Sequence, residues 1–287
     1  MILQLDRLGS LFVTRPLLDA GLLGARPGIP ILMYHSISND PEPGVRSYYR
    51  LATSPARFRE QMRWLKDHQY AVIDLTEALH RIETHSNRAE RAVVLTFDDG
   101  FRDFLLDAWP VLSDLGFTAT VFLPTAYIGS APRPFKGRDC MTWDDVRELR
   151  REGIRFGAHT VNHPALYRLP WREVQRELGD SRSRVEQELQ EPVRAFAYPY
   201  AFPQEDRPFV KRFRTELQQA GYTRAVTTVI GRASAGSDPL CLERLPVSDC
   251  DDPALFSSKL AGAYDWVGGL QAAFRRTKRH ATVPRPS

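Results

Sequence analysis

The chain has 287 residues, of which 43% are hydrophobic and 26% charged, as in an ordinary soluble globular protein. A net charge of +4 is too mild a bias to predict nucleic-acid binding, and no apolar run approaches the roughly 18 residues of a membrane span. The cysteines, Cys140, Cys241 and Cys250, follow neither disulfide nor metal-ligand spacing, which indicates a reducing compartment.

Residues 1–28 are predicted to form an N-terminal extension. Leu5, Leu8 and Phe12 keep helical spacing, so residues 2–13 are expected to form an amphipathic helix. We expect its apolar face to pack on the body of the protein, with contact to a membrane surface as the alternative. Charged residues interrupt the leucines, so no signal peptide is predicted. A cytoplasmic location is expected, either free or peripheral to the inner membrane face.

Strands and helices alternate through residues 29–265, which we assign to one domain. Ser54 followed by Pro55, and Thr142 before Trp143, are typical of helix starts. The alternation predicts parallel βαβ units and an α/β fold. Predicted strands are 29–35, 70–73, 93–97, 118–123, 154–159, 194–200, 222–229 and 242–247. One predicted helix begins at Pro55. The other predicted helices cover residues 76–85, 101–115, 143–151, 171–190 and 208–220. The long loop 127–141 is expected to be a functional rim or disordered.

Residues 266–287 are predicted to be a basic tail. The run Arg275-Arg276-Thr277-Lys278-Arg279-His280 holds much of the excess positive charge. Blocks of like charge are usually solvated, partly disordered tails, which is the expectation here. Contact with an anionic membrane surface is the alternative.

Two adjacent acids, Asp98 and Asp99, follow the buried strand 93–97. The carboxyl ends of parallel strands are where α/β folds bind their ligands. Adjacent residues leave a strand in opposite directions, so one carboxylate could hold a metal while the other stays free as a base. The alternative is a pair of N-cap residues for the following helix.

Two histidines, His159 and His163, lie at the end of another predicted strand. Imidazole suits zinc and neighbouring divalent ions. With one carboxylate from Asp98 or Asp99 they would form a three-ligand site with open positions, the pattern of a catalytic metal. His35 ends the first predicted strand, where a structural histidine is the commoner case.

Three segments resemble the polysaccharide deacetylases of carbohydrate esterase family 4. They are Thr96-Phe97-Asp98-Asp99-Gly100, His159-Thr160-Val161-Asn162-His163-Pro164 and Tyr198-Pro199-Tyr200. The resemblance covers roughly residues 30–247, and Tyr34-His35 resembles the branch of poly-N-acetylglucosamine deacetylases. It implies an incomplete, distorted (β/α) barrel of parallel strands. It also implies a metal-dependent hydrolase that removes N-acetyl groups from an N-acetylhexosamine-containing glycan, oligosaccharide or glycoconjugate.

The resemblance implies a role for each matching residue. Asp98 matches the general base that activates a metal-bound water. Asp99, His159 and His163 match the metal ligands, with Zn²⁺ as the expected ion. Tyr200 matches the position whose backbone N–H stabilises the oxyanion.

The sequence departs from the family pattern at the arginine, which aligns with Ala197, and at the late Leu-x-His motif, which is missing. We hypothesise that His35 supplies the general acid, since the first and last strands of a nearly closed barrel are neighbours. A second hypothesis is that Arg244 replaces the arginine and orients Asp98. A non-catalytic glycan-binding relative and an O-acetyl esterase on the same fold stay open as alternatives.

Overall fold

A computed structural model of the protein describes residues 5–24, 27–40, 42–45, 50–84 and 91–279. Its helices are α1 Leu5–Gly9, α2 Arg15–Asp19, α3 Pro55–Asp67, α4 Leu75–Glu83, α5 Trp109–Leu115, α6 Trp143–Arg151, α7 Trp171–Leu189, α8 Arg207–Gln219, α9 Pro253–Leu260 and α10 Trp266–Arg279. Its strands are β1 Ile31–Tyr34, β2 Ser36–Ile37, β3 Ala52–Thr53, β4 Ala71–Val72, β5 Ala92–Phe97, β6 Thr120–Leu123, β7 Pro134–Phe135, β8 Arg138–Asp139, β9 Arg155–Ala158, β10 Ala195–Ala197, β11 Arg224–Ile230 and β12 Leu242–Pro246. Segments Ser10–Thr14 and Phe104–Ala108 are π-helical.

Seven parallel strands close into a barrel in the order β1, β5, β6, β9, β10, β11 and β12. Strand β1 closes the ring because Leu32 lies opposite Leu95 of β5 on one side and Leu245 of β12 on the other. Strand β4 adds to the first residues of β5. The structure confirms the predicted single-domain (β/α) barrel, in which the first and last strands are neighbours.

Local sequence signals set the helix boundaries that frame the barrel. Ser54 accepts a hydrogen bond from the Arg57 amide and Pro55 begins α3, as predicted. Thr142 and Asp145 form a reciprocal capping box at the start of α6, whose predicted bounds are correct. The predicted strand 194–200 is shorter, ending at Ala197, because Pro199 has no N–H to donate to the sheet.

The N-terminal segment is helical, but its orientation differs from the expectation. Leu5, Leu8 and Phe12 are exposed, and Ser10 is the buried residue of this segment. The prediction that the apolar face packs on the body of the protein was therefore wrong. Residues 1–4 lie outside the described part of the chain.

The C-terminal segment begins as helix α10 where a solvated tail was expected. Its first half packs on β11, since the Gln271 side chain donates to the Thr228 carbonyl and accepts from the Ile230 amide. Residues 280–287 lie outside the described residues, and the domain boundaries at 28 and 265 stay predictions. None of the described helices is long and apolar enough to cross a bilayer, and the cytoplasmic location stays a prediction.

Gly157 in β9 offers a test of how tightly the barrel is packed near the site. A Cβ atom there would lie 2.6 Å from Phe122 and 2.7 Å from the Ala195 carbonyl oxygen. We expect Gly157→Ala to lower the free energy of unfolding by about 1–3 kcal/mol through overpacking, measured by urea denaturation. Gly179→Ala in α7 is the control, because nothing lies within 4 Å of its Cβ position. It should raise stability by about 0.5–1 kcal/mol, and equal effects at the two positions would contradict the packing argument.

Candidate functional site

The predicted site residues meet at one end of the barrel, where the parallel strands finish. Asp98 and Asp99 follow β5, and the Asp98 amide donates to the carbonyl of Tyr34, the last residue of β1. His35 comes directly after β1, and His159 directly after β9. The carboxyl ends of neighbouring parallel strands lie together, so segments distant in sequence supply one site.

The backbone around this site is held in an unusual conformation. The described residues include eight non-glycine residues with positive φ, and five of them surround the site: Asp99, Lys136, Thr160, His163 and Tyr200. Such conformations cost on the order of 1–3 kcal/mol each and persist where the surroundings impose them. Their concentration at one place indicates that the chain is shaped there for function.

A buried carboxylate holds the turn between the two histidines. Glu177 of α7 accepts hydrogen bonds from the amides of Val161 and Asn162, at 2.7 and 3.0 Å. The Thr160 hydroxyl accepts from the His163 amide at 2.9 Å. These bonds turn the chain back after β9, so that both imidazoles point to the same place. Sequence analysis missed Glu177, which is one of many acids in a charged helix.

Three buried side chains converge on one point. Asp99 Oδ1 lies 3.2 Å from His163 Nε2 and 3.7 Å from His159 Nε2. One ligand atom from each residue lies within 4.8 Å of the others. The His159 Nδ1 atom is 2.7 Å from the Ala197 carbonyl oxygen, so it carries the ring proton and leaves the Nε2 lone pair free. Burial lowers the pKa of His159 to about 3, which keeps the ring in the neutral form that binds metals.

The donor set fits a divalent metal ion. Although Asp99 Oδ1 is buried, it has no hydrogen-bond partner among the described residues, and it faces two imidazole nitrogens. Burial alone would raise the pKa of Asp99, but the imidazoles and the Lys136 ammonium lower it well below its ordinary value. Two nitrogens and one carboxylate oxygen are typical of a zinc site that keeps positions open.

Lys136 is a site residue that sequence analysis missed. It lies in the β7–β8 hairpin, within the long loop that was expected to be a functional rim or disordered, and its Nζ is 3.0 Å from Asp99 Oδ2. Its ammonium also lies 4.8 Å from the Phe135 ring centre and 5.7 Å from that of Tyr200. Asp99 therefore offers one oxygen to the histidines and the other to a lysine.

Asp98 lies close enough to His159 for the two to interact electrostatically, and it is held by Arg244 of β12. The guanidinium donates to Asp98 Oδ1 at 2.8 Å and to Oδ2 at 2.7 Å. Arg244 is fully buried and also donates to the Thr227 carbonyl and the Thr96 hydroxyl. Burial alone would raise the pKa of Asp98, but the charge of Arg244 outweighs it and lowers the pKa to about 2. The carboxylate is ionised at neutral pH.

The two remaining predicted site residues, His35 and Tyr200, lie near the two acids and the histidines. His35 Nε2 is 3.9 Å from Asp98 Oδ2, and burial lowers the pKa of this imidazole despite the nearby Asp98 and Asp99. The half-exposed ring of Tyr200 lies edge-on to His163, with 4.6 Å between ring centres. The structure thus brings His35, Arg244 and Tyr200 to the acids and histidines, while their chemical roles stay predictions.

Comparison with known proteins points to one family. The family model for polysaccharide deacetylase matches residues 85–225. YxkH of Bacillus subtilis (strain 168), named as a polysaccharide deacetylase, is 31% identical over 224 residues, which are 77% of this chain and 71% of that protein. Poly-beta-1,6-N-acetyl-D-glucosamine N-deacetylase of Staphylococcus aureus (strain MSSA476) is 24% identical over 171 residues, 56% of this chain and 58% of that enzyme.

Solved structures share the fold. Streptococcus pyogenes deacetylase PplD, in complex with acetate, superposes with a TM-score of 0.71 and 28% identity, covering 81% of this chain and 98% of that one. IcaB from Ammonifex degensii superposes with a TM-score of 0.68 and 21% identity, covering 82% and 97% of the two chains. This second likeness shows the fold alone.

Lys136 is predicted to compete with a metal ion for Asp99. We expect Lys136→Met to raise the affinity of the metal-stripped protein for Zn²⁺ about tenfold, because a like charge beside the site is removed. Isothermal titration calorimetry measures this affinity. Lys211→Met on α8 is the matched control and should change nothing, while His163→Ala should lower the affinity by more than about a hundredfold. Unchanged affinity in His163→Ala would exclude the metal site, and weaker binding in Lys136→Met would exclude the competition.

Proposed function

This chain belongs to the polysaccharide deacetylase family, and from that premise we propose that it is a metal-dependent hydrolase that removes N-acetyl groups from an N-acetylhexosamine-containing glycan. One observation carries the proposal. An ionised carboxylate, Asp98, lies beside a buried set of metal-ligand atoms from Asp99, His159 and His163. A protein that only bound glycans would not need the extra carboxylate, which argues against the binding-only alternative.

Asp99, His159 and His163 would hold the divalent ion, for which zinc is expected from the donor set. When bound, the ion polarises the acetamide carbonyl and acidifies the attacking water. The protein's part is to keep the three ligand atoms together: the Ala197 carbonyl fixes the His159 tautomer, and Glu177 fixes the turn that carries His163.

We assign Asp98 the role of general base. Both of its oxygens accept from Arg244, which fixes the plane of the carboxylate and keeps it ionised. Each oxygen retains a lone pair for a further hydrogen bond. Asp98 takes the proton of the water as the water attacks the acetamide carbon. Arg244 acts through Asp98 and is a positioning residue.

We assign His35 the role of proton donor to the leaving nitrogen. It is neighbour to Asp98, with 3.9 Å between the facing atoms, so one bridging water or a small rotation of the ring would let it receive the proton that Asp98 has taken. Passing that proton to the nitrogen as the C–N bond breaks releases a free amine and acetate. The Tyr200 backbone N–H would stabilise the negative oxygen that forms on the acetamide carbon.

The reaction class is tested by comparing two products. Zinc-loaded protein should release amine and acetate in equal amounts from N-acetylglucosamine oligomers. Acetate without amine, from O-acetylated sugars alone, would identify the esterase. Sugar binding without either product would identify the glycan-binding relative.

Asp98→Asn and His35→Ala should each lower kcat on N-acetylglucosamine oligomers by about 10²–10⁴-fold, because each removes one proton-transfer step. Amine release measures the rate. Zinc affinity, measured on the same samples, serves as the control and should stay near that of the parent protein. A nearly normal rate in His35→Ala with zinc bound would rule out the donor role of this residue.

Arg244→Met is predicted to lower kcat about 10–100-fold with little change in KM, since Asp98 loses the partner that orients it. It should also lower the free energy of unfolding by about 3–5 kcal/mol, because a buried charge is left unpaired. Steady-state kinetics and urea denaturation measure the two effects.

A double-mutant cycle separates this positioning role from a general structural one. In the Asp98→Asn background, Arg244→Met should cost much less activity and stability than in the parent. Arg244→Lys, which keeps the charge but not the two-pronged geometry, should recover only part of the rate. Fully additive effects of the two substitutions would contradict the assigned pairing.

A further inference from the structure

The N-terminal helical segment, residues 5–19, presents an apolar row to the outside. Between residues 5 and 16 every exposed residue is apolar, and the row consists of Leu5, Leu8, Phe12, Val13 and Pro16. Leu5 is 67% exposed and Phe12 71%. After Pro16 the next exposed residues are Asp19, which pairs with Arg15, and Ala20, and exposed Leu22 and Leu23 follow. Single exposed apolar residues are normal, but a contiguous row marks an interaction site.

Polar contacts fix the helix in this orientation. The Tyr264 hydroxyl donates to Asp6, and the Trp266 ring N–H donates to the fully buried Ser10 hydroxyl at 3.1 Å. Arg7 forms an ion pair with Asp252, the N-cap of α9. Turning the helix to bury its apolar row would break these contacts. The apolar row is therefore a stable feature of the fold.

The helix next to this row supplies positive charge. Helix α10 begins at Trp266, which contacts the N-terminal segment, and its last five residues include Arg275, Arg276, Lys278 and Arg279. Its Leu270 is also exposed. Apolar side chains together with a helix rich in Lys and Arg favour binding to anionic bilayers. The apolar side chains enter the boundary of the acyl chains, and the positive charges attract the anionic head groups.

We propose that the N-terminal helical segment and α10 together form a surface that binds anionic lipid membranes. A second copy of this chain is a less favourable partner for this surface than a membrane. Two copies that met through this surface would bring their positively charged runs close together. Asp252 follows β12 beyond the carboxyl ends of the strands, so the lipid-binding surface starts at the same end of the barrel as the site. The proposal does not depend on the reaction that the site performs.

The test is flotation of the full chain with vesicles of phosphatidylcholine, with or without phosphatidylglycerol. The parent protein should bind the anionic vesicles more tightly and lose this preference at high salt. Leu8→Ser/Phe12→Ser should weaken binding to anionic vesicles about tenfold or more. Leu106→Ser is the matched control, since this residue is 62% exposed on the unrelated segment Phe104–Ala108.

Charge is tested separately. Arg275→Gln/Arg276→Gln should weaken binding to anionic vesicles about tenfold and leave any binding to neutral vesicles unchanged. All variants should keep the thermal midpoint and the amine-release rate on a soluble oligomer, which separates this proposal from the proposed function.

Failure of the parent protein to bind anionic vesicles would overturn the proposal. So would equal binding by Leu8→Ser/Phe12→Ser and the parent. Sedimentation velocity tests self-association. If the parent protein is a dimer that does not bind vesicles, and Leu8→Ser/Phe12→Ser is a monomer, the proposal is overturned in favour of self-association.

Discussion

The buried ion pair between Arg244 and Asp98 links β12 to β5, the two strands that flank β1 in the closed barrel. Removing two charges from water is costly, and only good geometry with further hydrogen bonds offsets the cost. The Arg244–Asp98 pair has good geometry and further hydrogen bonds, because the Thr227 carbonyl and the Thr96 hydroxyl accept two of the other three guanidinium protons. Since apolar residues of similar size often stabilise a core as well as a buried pair does, function is the better reason for this one.

The backbone conformation just after β5 separates the tasks of two neighbouring acids. Asp98 turns towards β12 and its arginine, whereas Asp99, with a left-handed φ of 72°, turns towards the histidines. The pKa of each carboxyl is lowered, but by different neighbours: an arginine for one, imidazoles and a lysine for the other. One acid is thus already committed to a hydrogen-bonded partner, while the other keeps a buried oxygen free for an ion.

Sequence patterns predicted the features that depend on local chemistry. Strand ends placed the two acids and both histidines together, and the caps at Ser54 and Thr142 marked helix starts correctly. Features that depend on tertiary contacts could not be predicted from these patterns. Helical spacing of Leu5, Leu8 and Phe12 shows that they share a face, but not which way that face turns. The opposite face carries Asp6, Arg7 and Ser10, whose partners lie about 245–260 residues away in the chain.

The two cations of the site differ in their freedom to move, and this difference divides their roles. Arg244 is fully buried, and its guanidinium donates hydrogen bonds to both oxygens of Asp98. The guanidinium therefore cannot move into solvent, and Asp98 stays paired and ionised. Lys136 lies on a hairpin with 29% of its side chain exposed, so its ammonium can move into solvent. Lys136 balances the charge of Asp99, and a divalent ion bound by Asp99 would require only this mobile cation to move. Under the proposed function, a fixed partner for the base Asp98 and a displaceable one for the metal ligand Asp99 would let two adjacent acids serve two purposes.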